Sequence, residues 1–433
     1  MKVLFLCGGI GRRMFPLTED KFLLQFMGKT LLEHQIQIAM QAGLTNFILV
    51  CNPQNYQRIE AVARKFTSAT IEIAVQKQPL GIANALQSAA HLLDQELVIV
   101  NPNDIFDDTA YSALLNSKQQ EKAVAHIIGY RVNNYFPGGY LVTNEKGDLT
   151  SIIEKPGVGN EPSDMVNVLV HSHSDSKALL SYISRVETDK DDVYERALDA
   201  MCKEKKPIHV VPYSGAWYAI KYPWNILDGV RYFLDRAESY ISPTAQISSR
   251  AVIEGKVVIG DNARVLENAV IRGPVYIGPR TIIGNNTLIR AYSHIGADCV
   301  VGFATEIKGS YIDDRNWFHM NYIGDSVIGE HCNFGAGTII ANWRFDEKPI
   351  LVQVNDKQVN TGKDKFGAII GENCRTGINV SIMPGIKIGP NSIIGPSVSL
   401  TDDVDSNTIV KLSTSARPIR KNVHLHRINK EAS

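Results

Sequence analysis

Three glycines and an arginine near the N-terminus form the first group of residues suited to chemistry. Gly8, Gly9 and Gly11 follow a short apolar run, and Arg13 comes two positions later. Glycines let a backbone approach a polyphosphate closely and direct its N–H groups at it, and arginine adds a forked positive charge. The group indicates phosphate binding, but glycines alone are equally typical of an ordinary strand-to-helix turn.

A second group of polar residues lies in the last third of the chain. His319 and Tyr322 are close in sequence, and Asn333 and Asn342 follow. Histidine is the side chain whose ordinary pKa suits it to accept a proton near neutral pH. By spacing alone, His319 is as compatible with an exposed loop histidine as with a catalytic base.

The elements that would position the first group alternate between strand and helix. From Lys2 to about Tyr130, short β-branched runs alternate with segments of helical period. This alternation predicts βαβ units in an α/β domain with a Rossmann-like, doubly wound sheet, which binds ligands at the carboxyl ends of its strands. An amphipathic stretch over 225–240 predicts a connecting helix.

After residue 242 the sequence follows a six-residue period. Apolar residues recur at this spacing from Ile247 to Ile307, and the phase returns from Ile382 to Leu400. Hexapeptide repeats are typical of a parallel β-helix. We predict a left-handed β-helix in which each repeat forms one side of a triangular coil and each coil packs only on its neighbours.

The same period places two cations and marks two interruptions. Arg290 and Lys308 are eighteen residues apart, which is one full coil. We therefore predict that they stack on one edge and clamp a phosphate; two unrelated solvated side chains are the alternative. The phase breaks over 308–321 and again over the charged stretch 342–368. Loops that project from a rigid scaffold commonly carry function, so both are candidate sites.

Length and composition limit the classes of protein. The chain has 433 residues, and we predict domains at 1–224 and 242–411, a linker helix at 225–241 and a basic tail at 412–433. Lysine plus arginine and aspartate plus glutamate each total 45, so no net field favours nucleic acid or an acidic membrane. Six scattered cysteines without a CxxC pair, and no apparent signal peptide or apolar span, predict a cytoplasmic protein.

Residues 1–230 resemble the sugar-1-phosphate nucleotidylyltransferase family. The matching segments are the glycine–arginine group with Pro16-Leu17-Thr18 and Lys21-Phe22-Leu23, then Gln76, Pro79-Leu80-Gly81 and Asn103-Asp104, and finally Gly139, Glu154-Lys155-Pro156 and Asn167. The resemblance implies in-line attack of a sugar 1-phosphate on the α-phosphorus of a nucleotide, with pyrophosphate leaving.

The resemblance also implies a role for each matched residue. Arg13 would hold the leaving pyrophosphate and Lys21 the reacting phosphates, and Asp104 would bind Mg²⁺. The residues implied to bind the nucleotide are Gly8, Gly9, Gly11, Gln76 and Gly81. Those implied to bind the sugar and its phosphate are Gly139, Glu154, Lys155 and Asn167.

Three positions depart from the family pattern. Arg12 stands where serine or threonine is common, and Asp20 stands where proline usually precedes the lysine. Ala219 stands where the family usually has a second metal ligand. Either substrate phosphates and water complete the coordination of Mg²⁺, or a nearby group substitutes, or this half is impaired.

The segments Phe318–Asp325 and Asn333–Asn342 resemble the acetyltransferase half of bifunctional N-acetylglucosamine-1-phosphate uridylyltransferase/glucosamine-1-phosphate acetyltransferases, in particular archaeal-type members with an Arg-Phe-Asp-Glu-Lys segment, here 344–348. The resemblance implies that His319 removes a proton from the ammonium of an amino sugar, which then attacks the thioester of acetyl-CoA. It further implies that Tyr322, Asn333 and Asn342 orient the sugar and stabilise the oxyanion, and that the enzyme is a homotrimer.

We therefore predict a bifunctional enzyme with small-molecule substrates and with no nucleic-acid or membrane partner. Its substrates would be glucosamine 1-phosphate, acetyl-CoA and UTP, although Gln76 offers both donor and acceptor edges and leaves the base open. One alternative is a nucleotidylyltransferase for glucose 1-phosphate whose β-helix serves only assembly, which the histidine group argues against. Another is a regulatory relative that binds sugar nucleotide without turnover, which Ala219 keeps open.

Overall fold

A computed structural model describes residues 1–9, 11–93, 96–190, 192–412 and 420–421. By their internal contacts, the described residues of Met1–Ile10 and Leu31–Ala219 form one compact unit, and those of Gly11–Thr30 and Ile220–Ser433 form a second. The predicted domain boundaries remain a prediction, and the predicted basic tail lies outside the described residues except for Leu412 and the strand Arg420–Lys421. Within the described part, no helix has the length and apolarity needed to cross a membrane.

The first unit is an α/β domain, as predicted. Its helices are α1 (Leu31–Gln41), α2 (Tyr56–Ala63), α3 (Gly81–Ser88), α4 (Thr109–Gln120), α5 (Ser176–Ile183) and α6 (Val193–Lys203), with a 3₁₀ helix at Ala90–Leu92. Its strands are β1 (Lys2–Cys7), β2 (Asn46–Cys51), β3 (Thr70–Val75), β4 (Leu97–Val100), β5 (Asp104–Phe106), β6 (Ala125–Arg131), β7 (Gly139–Thr143), β8 (Leu149–Glu154), β9 (Met165–His173), β10 (Ile208–Tyr213) and β11 (Trp217–Ala219).

The main sheet of this unit is mixed. Its strand order is β8-β7-β9-β4-β1-β2-β3, with β6 paired to β9 and β10 paired to β6. Strands β4, β1, β2 and β3 are parallel, whereas β9 is antiparallel to β4, β6 and β7. The parallel strands are covered on both faces, which explains why β4 is buried along its whole length and contains only Leu, Val and Ile.

The second unit contains the predicted left-handed β-helix, whose strands form three parallel sheets. The first sheet comprises Tyr240–Ile241, Val257–Ile259, Val275–Ile277, Ser293–Ile295, Tyr311–Ile312, Val327–Ile328, Ile369–Ile370 and Lys387–Ile388. The second comprises Gln246–Ile247, Arg264–Val265, Ile282–Ile283, Val300–Val301, Trp317–Phe318, Asn333–Phe334, Arg375–Thr376, Ile393–Ile394 and Thr408–Val410, with Arg420–Lys421 added antiparallel. The third comprises Val252–Glu254, Val270–Arg272, Leu288–Ile289, Glu306–Lys308, Tyr322–Gly324, Ile339–Ile340, Ser381–Ile382 and Ser399–Leu400.

The six-residue period corresponds to the inward-pointing side chains of the coils. Every residue of the period from Ile259 to Ile307 is at most 1% exposed. Burial of an isoleucine side chain stabilises a fold by about 1.5–3 kcal/mol, so these positions dominate the core. Between them, corner residues such as Asn262 and Asn268 adopt left-handed backbone conformations, with φ of 56° and 59°. Asparagine tolerates this region better than most side chains, so it marks the corners.

The first predicted interruption, 308–321, is not a projecting loop, and that part of the prediction is wrong. The segment contains the strands Tyr311–Ile312 and Trp317–Phe318, which continue the first and second sheets in parallel register. The inward residue after Ile307 is Ile312, five positions later, and the buried Phe318 replaces an aliphatic residue at the next. Shortened corners therefore break the phase while the coil continues.

The second predicted interruption, 342–368, does leave the coil. It contains the antiparallel hairpin Leu351–Val354 with Lys357–Asn360. Its ends are joined, because Phe366 N–H donates to the Asn342 carbonyl at 3.0 Å. It packs on the helix α7 (Ile226–Arg236) and the preceding 3₁₀ helix Pro223–Asn225: Lys363 Nζ lies 2.6 Å from Asp228 Oδ1, and Phe366 contacts Trp224 edge to face.

Residues 11–30 belong to the second unit and are held on the first sheet of the β-helix. They contain the 3₁₀ helices Arg12–Met14 and Lys21–Leu23 and the hairpin Gln25–Phe26 with Lys29–Thr30. Phe26 packs against Phe233 and Tyr311, with ring centroids 5.0 and 6.0 Å away. Met27 N–H donates to His294 Nε2 at 3.2 Å, and Thr18 hydrogen-bonds Glu372. These contacts fix the position of the segment that carries Arg13 and Lys21.

Candidate active sites

The carboxyl ends of three parallel strands in the first unit carry Gly8, Asn52 and Gln76. Such ends meet at one edge of a sheet, which is where doubly wound folds bind ligands. Asn52 Nδ2 donates to the Gly8 carbonyl at 3.4 Å, and Asn55 Nδ2 donates to the Cys7 carbonyl at 3.0 Å. Both asparagines are buried and fix the start of the glycine loop. Neither was predicted; their only signal in the sequence is their position in the turn between β2 and α2.

Gln76 is held with its acceptor edge toward Gly8. The buried side chain donates both amide hydrogens within the chain, from Nε2 to the Gly81 carbonyl and to Asn84 Oδ1, each at 3.0 Å. Gly81 begins α3 with a φ of 80°, a conformation that favours glycine. The remaining hydrogen-bonding capacity of Gln76 therefore lies at Oε1, which accepts.

We expect Gly8→Ala to destabilise the nucleotide-free protein and Gly9→Ala not to. A Cβ on Gly8 would lie 2.2 Å from Gln76 Oε1, whereas a Cβ on Gly9 meets nothing within 4 Å. The buried Gln76 would have to leave its two partners, and such a rearrangement typically costs about 1–3 kcal/mol. Thermal unfolding of both variants without nucleotide measures this, and equal melting temperatures would contradict the packing described here.

The predicted sugar-phosphate residues lie on three neighbouring strands. Gly139 is the register partner of Glu154 across β7 and β8, and Val166 pairs with Tyr140, which places Asn167 beside Gly139. Lys155 Nζ lies 2.7 Å from Glu154 Oε1. Lys155 also has a φ of 46°, a left-handed conformation that costs a non-glycine residue about 1–3 kcal/mol and is enriched at functional sites.

The predicted metal ligand, Asp104, has an alanine directly opposite. Strands β5 and β11 pair so that Ala219 is the register partner of Asp104. Asp104 Oδ2 accepts from Trp217 Nε1 at 3.0 Å, and Oδ1 accepts from Asn101 Nδ2 at 3.4 Å. No cluster of three or more His, Cys, Asp or Glu suited to a metal occurs in the described part of the chain.

The Asp104 carboxylate fits a magnesium ion that the protein holds through one carboxylate. Asp104 offers carboxylate oxygens, and Mg²⁺ commonly binds one or two carboxylates, with substrate phosphates and water completing its coordination. Ala219 faces Asp104 where a second carboxylate would stand, so protein coordination at this pair is limited to Asp104.

Arg13 and Lys21 belong to the second unit. Lys21 begins a 3₁₀ helix, and a Cβ on Gly11 would lie 3.5 Å from Lys21 Cε. The Arg13 guanidinium lies over the Tyr222 ring, 5.8 Å from its centroid. Arg12, Arg13 and Lys387 line a groove of about 360 Å³ in this unit. The roles predicted for Arg13 and Lys21 remain predictions.

Four of the six predicted acetyltransferase residues meet on the third sheet of the β-helix. The pairing of Ile289 with Ile307 places Arg290 beside Lys308, as the eighteen-residue spacing predicts. Arg290 Nη1 lies 2.9 Å from Glu306 Oε1, and Lys308 Nζ lies 2.5 Å from Asp325 Oδ2. Each cation therefore has its own carboxylate, and the phosphate clamp remains a prediction.

Asn342 and Tyr322 complete this group through Asp325. Asn342 Nδ2 donates to Asp325 Oδ2, and the Tyr322 hydroxyl donates to Asn342 Oδ1 at 3.4 Å. Burial, followed by the negative charges of Glu306 and Asp325, raises the pKa of Tyr322, which keeps the phenol protonated. We name Arg290, Glu306, Lys308, Tyr322, Asp325 and Asn342 the polar cluster. Glu306 and Asp325 were not predicted; the shortened corners move Asp325 out of the regular six-residue phase.

His319 lies at the corner between the second and third sheets. Its side chain is exposed, and its backbone N–H donates to Asn321 Oδ1 at 2.5 Å. The buried Asn321 in turn donates from Nδ2 to the carbonyls of Gly335 and Thr338, at 2.9 and 3.2 Å. The corner is therefore fixed by Asn321, and the imidazole is available to a substrate.

Asn333 lies away from the polar cluster. It pairs with Trp317 and Arg375 on the second sheet, whereas Tyr322 lies on the third. Within one chain the structure therefore separates Asn333 from Arg290, Lys308, Tyr322 and Asn342, with which the sequence grouped it.

Comparison with known proteins identifies families that match both halves of the chain. The nucleotidyl transferase family matches residues 2–220, and the bacterial transferase hexapeptide family (six repeats) matches residues 256–291 and 367–402. The bifunctional sugar-1-phosphate nucleotidylyltransferase/acetyltransferase of Sulfurisphaera tokodaii is 33% identical over 416 residues, covering 95% of this chain and 100% of that protein. The bifunctional protein GlmU of Methanococcus maripaludis (strain C7) is 38% identical and that of Methanocaldococcus jannaschii 34%, each alignment covering 95% of this chain and 97% of the relative. The chain thus belongs to the family of bifunctional sugar-1-phosphate nucleotidylyltransferase/acetyltransferases.

Proposed function

We propose that the enzyme acetylates glucosamine 1-phosphate with acetyl-CoA and then transfers uridylyl from UTP to N-acetylglucosamine 1-phosphate, giving UDP-N-acetylglucosamine and pyrophosphate. The observation that carries the proposal is the polar cluster with His319 on the β-helix, in a chain whose other half matches nucleotidyl transferases. An assembly module needs no such cluster.

In the acetyl-transfer step, His319 takes a proton from the ammonium group of the amino sugar. The amine then attacks the thioester carbonyl of acetyl-CoA, and the nitrogen of the tetrahedral intermediate loses its second proton to water. The intermediate collapses, the C–S bond breaks, and the thiolate of coenzyme A takes a proton from the imidazolium. Tyr322 and Asn342 orient the sugar and donate hydrogen bonds, and Arg290 and Lys308 bind its phosphate at the edge where they stack.

In the nucleotidyl-transfer step, a phosphate oxygen of the sugar 1-phosphate attacks the α-phosphorus in line and pyrophosphate leaves. The protein contributes positioning and charge: the Gly8–Gly9 backbone, Gly11, Arg13 and Lys21 act on the phosphates. Gly139, Glu154, Lys155 and Asn167 bind the sugar and its phosphate. When bound through Asp104, magnesium supplies neutralisation of the reacting phosphates.

The acceptor of Gln76 supports a base that donates a hydrogen bond at this edge, as uracil does. Its Nε2 hydrogens are already donated to Gly81 and Asn84, so Oε1 is left to receive a hydrogen bond. The N3–H of uracil or thymine donates at the matching edge, whereas the corresponding N1 of adenine accepts. This favours UTP or dTTP over ATP.

We further propose a homotrimer in which a neighbouring copy completes the acetyltransferase site. Asn333 lies on a different sheet from the polar cluster, and exposed apolar side chains follow the second-sheet strands at the corner of His319, namely Phe303, Met320 and Ile378. An apolar exposed row of this kind is typical of an interface. Light scattering of the purified protein should give three times the chain mass of 47.9 kDa. A monomer at micromolar concentration would contradict the proposal.

The six cysteines are free thiols, which suits the reducing cytoplasm that we propose for the enzyme.

One alternative retains support from a specific observation. Ala219 faces Asp104 and leaves one carboxylate at the predicted metal site. A chain with an impaired N-terminal site would bind sugar nucleotide without turning it over and keep only acetyl transfer.

Pyrophosphate release tests the proposal. Purified protein with Mg²⁺ is assayed with UTP, dTTP, ATP, GTP and CTP, each against N-acetylglucosamine 1-phosphate and glucose 1-phosphate. We expect release with UTP and the acetylated sugar. If no pair released pyrophosphate while acetyl-CoA was still consumed with glucosamine 1-phosphate, the N-terminal site would be impaired and the enzyme would carry out only acetyl transfer.

A further inference from the structure

Two buried histidines and a tyrosine lie behind Asn167 in the first unit. Asn167, His171 and His173 are all on β9, and Tyr194 is near the start of α6. His171 Nε2 lies 2.6 Å from Asn167 Oδ1, and His171 Nδ1 lies 2.8 Å from the Tyr194 hydroxyl. The same hydroxyl lies 2.9 Å from His173 Nε2. The four side chains form one continuous row of hydrogen bonds.

The three aromatic members of the row are uncharged at neutral pH. Burial lowers the pKa of His173 to about 3, and burial followed by His173 lowers the pKa of His171 well below its ordinary value. Burial also raises the pKa of Tyr194 well above its ordinary value. Each imidazole therefore carries one N–H, and the tyrosine carries one O–H.

Only one arrangement of these protons avoids an unpaired buried donor. If His173 Nε2–H donates to the Tyr194 oxygen, the Tyr194 O–H donates to His171 Nδ1 and His171 Nε2–H donates to Asn167 Oδ1. The reverse order would place a hydrogen on His173 Nδ1, a buried atom without a hydrogen-bond partner in the described part of the chain. An unpaired buried N–H costs more than an unused lone pair, so the first order is preferred.

We propose that His173, Tyr194 and His171 act as a positioning row that fixes the Asn167 side-chain amide as a hydrogen-bond donor to the sugar. With Oδ1 occupied by His171, Asn167 presents only its NH₂ group beside Gly139 and Glu154. The group that it recognises is therefore an acceptor oxygen of the sugar, a hydroxyl or an amide carbonyl. The inference rests on the proposed function, since it takes Asn167 as a sugar ligand.

A double-mutant cycle tests the row. Tyr194→Phe removes the hydroxyl and keeps the ring packing, and we expect it to raise KM for N-acetylglucosamine 1-phosphate about tenfold while KM for UTP stays unchanged. Asn167→Ala should raise the same KM at least as much, and the double variant should be no worse than Asn167→Ala alone. The unchanged KM for UTP and the melting temperature of each variant are the controls for folding, because Asn167 and Tyr194 both lie in the first unit.

Asn167→Asp sharpens the test. The carboxylate still accepts from His171 Nε2–H but has no hydrogen to donate, so sugar binding should be lost although the row is intact. The positioning role would be overturned if the increases in KM caused by Tyr194→Phe and Asn167→Ala multiplied in the double variant. It would also be overturned if Tyr194→Phe raised KM equally for both substrates. An unchanged KM in Asn167→Ala would instead show that the assignment of Asn167 as a sugar ligand is wrong.

Neutron diffraction from deuterated crystals of the full chain decides the proton order without any activity. We expect deuterium on Nε2 of both His171 and His173. Deuterium on Nδ1 of either histidine would overturn the row, even if the enzyme released no pyrophosphate.

Discussion

His319→Ala is expected to reduce acetyl transfer by about 10²–10⁴-fold and to leave pyrophosphate release with UTP unchanged. The reason is that an ammonium has no lone pair with which to attack a thioester until a base removes its proton. The variant should fold, because the His319 side chain is exposed and its corner is fixed by Asn321. Consumption of acetyl-CoA with glucosamine 1-phosphate and release of pyrophosphate, measured on one preparation, provide the two readouts.

His331→Ala is the matched control for this prediction. His331 is another exposed corner histidine of the β-helix, with a φ of 60°, and its Nε2 accepts from Arg315 Nε. It lies between strands of the first and second sheets, whereas the polar cluster lies at the third. It should keep both activities. Loss of both activities in folded His319→Ala would show that the two reactions are not carried by separate sites.

Asp104→Ala should reduce pyrophosphate release by about 10²-fold or more and leave acetyl transfer intact. Asp104 is the one carboxylate of the β5–β11 pair, so its loss removes the charge that would hold magnesium on the reacting phosphates. Initial rates with UTP and N-acetylglucosamine 1-phosphate, taken over a range of Mg²⁺ concentrations, measure the effect. Asp108→Ala is the control, since Asp108 is an exposed carboxylate four residues away.

Ala219→Asp adds the missing carboxylate to the same pair and should lower the Mg²⁺ concentration needed for half-maximal rate. Directly opposite residues of an antiparallel pair have Cα atoms about 4.5–5.5 Å apart, close enough for two carboxylates to share one ion. Full activity in Asp104→Ala would show that metal binding does not depend on this position. An unchanged magnesium requirement in Ala219→Asp would argue against metal binding at the pair.

The fold was largely predictable because apolar residues recur in the sequence at the spacing of the buried positions in each strand, helix or coil. The strand Leu97–Val100 is buried along its whole length, and the six-residue spacing from Ile259 to Ile307 corresponds to inward-pointing side chains. The spacing also predicted the stacking of Arg290 and Lys308 correctly. It failed over 308–321, because corners shortened by one residue change the phase without breaking the hydrogen-bonded coil.

The partners of the site residues could not be read from the sequence. Asp325 contacts Lys308 and Asn342 only because two corners are shortened, and the Tyr194 hydroxyl meets two histidines of β9 only through the packing of α6. Likewise, the assignment of residues 11–30 to the second unit depends on side-chain packing such as that of Phe26 on Tyr311. Contacts between segments that are distant in sequence produce no periodic pattern of residues, so they could not be predicted in this way.

The joined ends of the insertion give the β-helix an exchangeable part. Phe366 N–H donates to the Asn342 carbonyl. Residues 343–365 therefore leave the coil and rejoin it at the same place. Stacked coils depend only on their neighbours, so such a segment can be lengthened, trimmed or replaced during evolution without shifting the register of the coils on either side. Asn342 belongs to the polar cluster as well as to this junction. The insertion can therefore vary in sequence next to the polar cluster while the scaffold keeps its geometry.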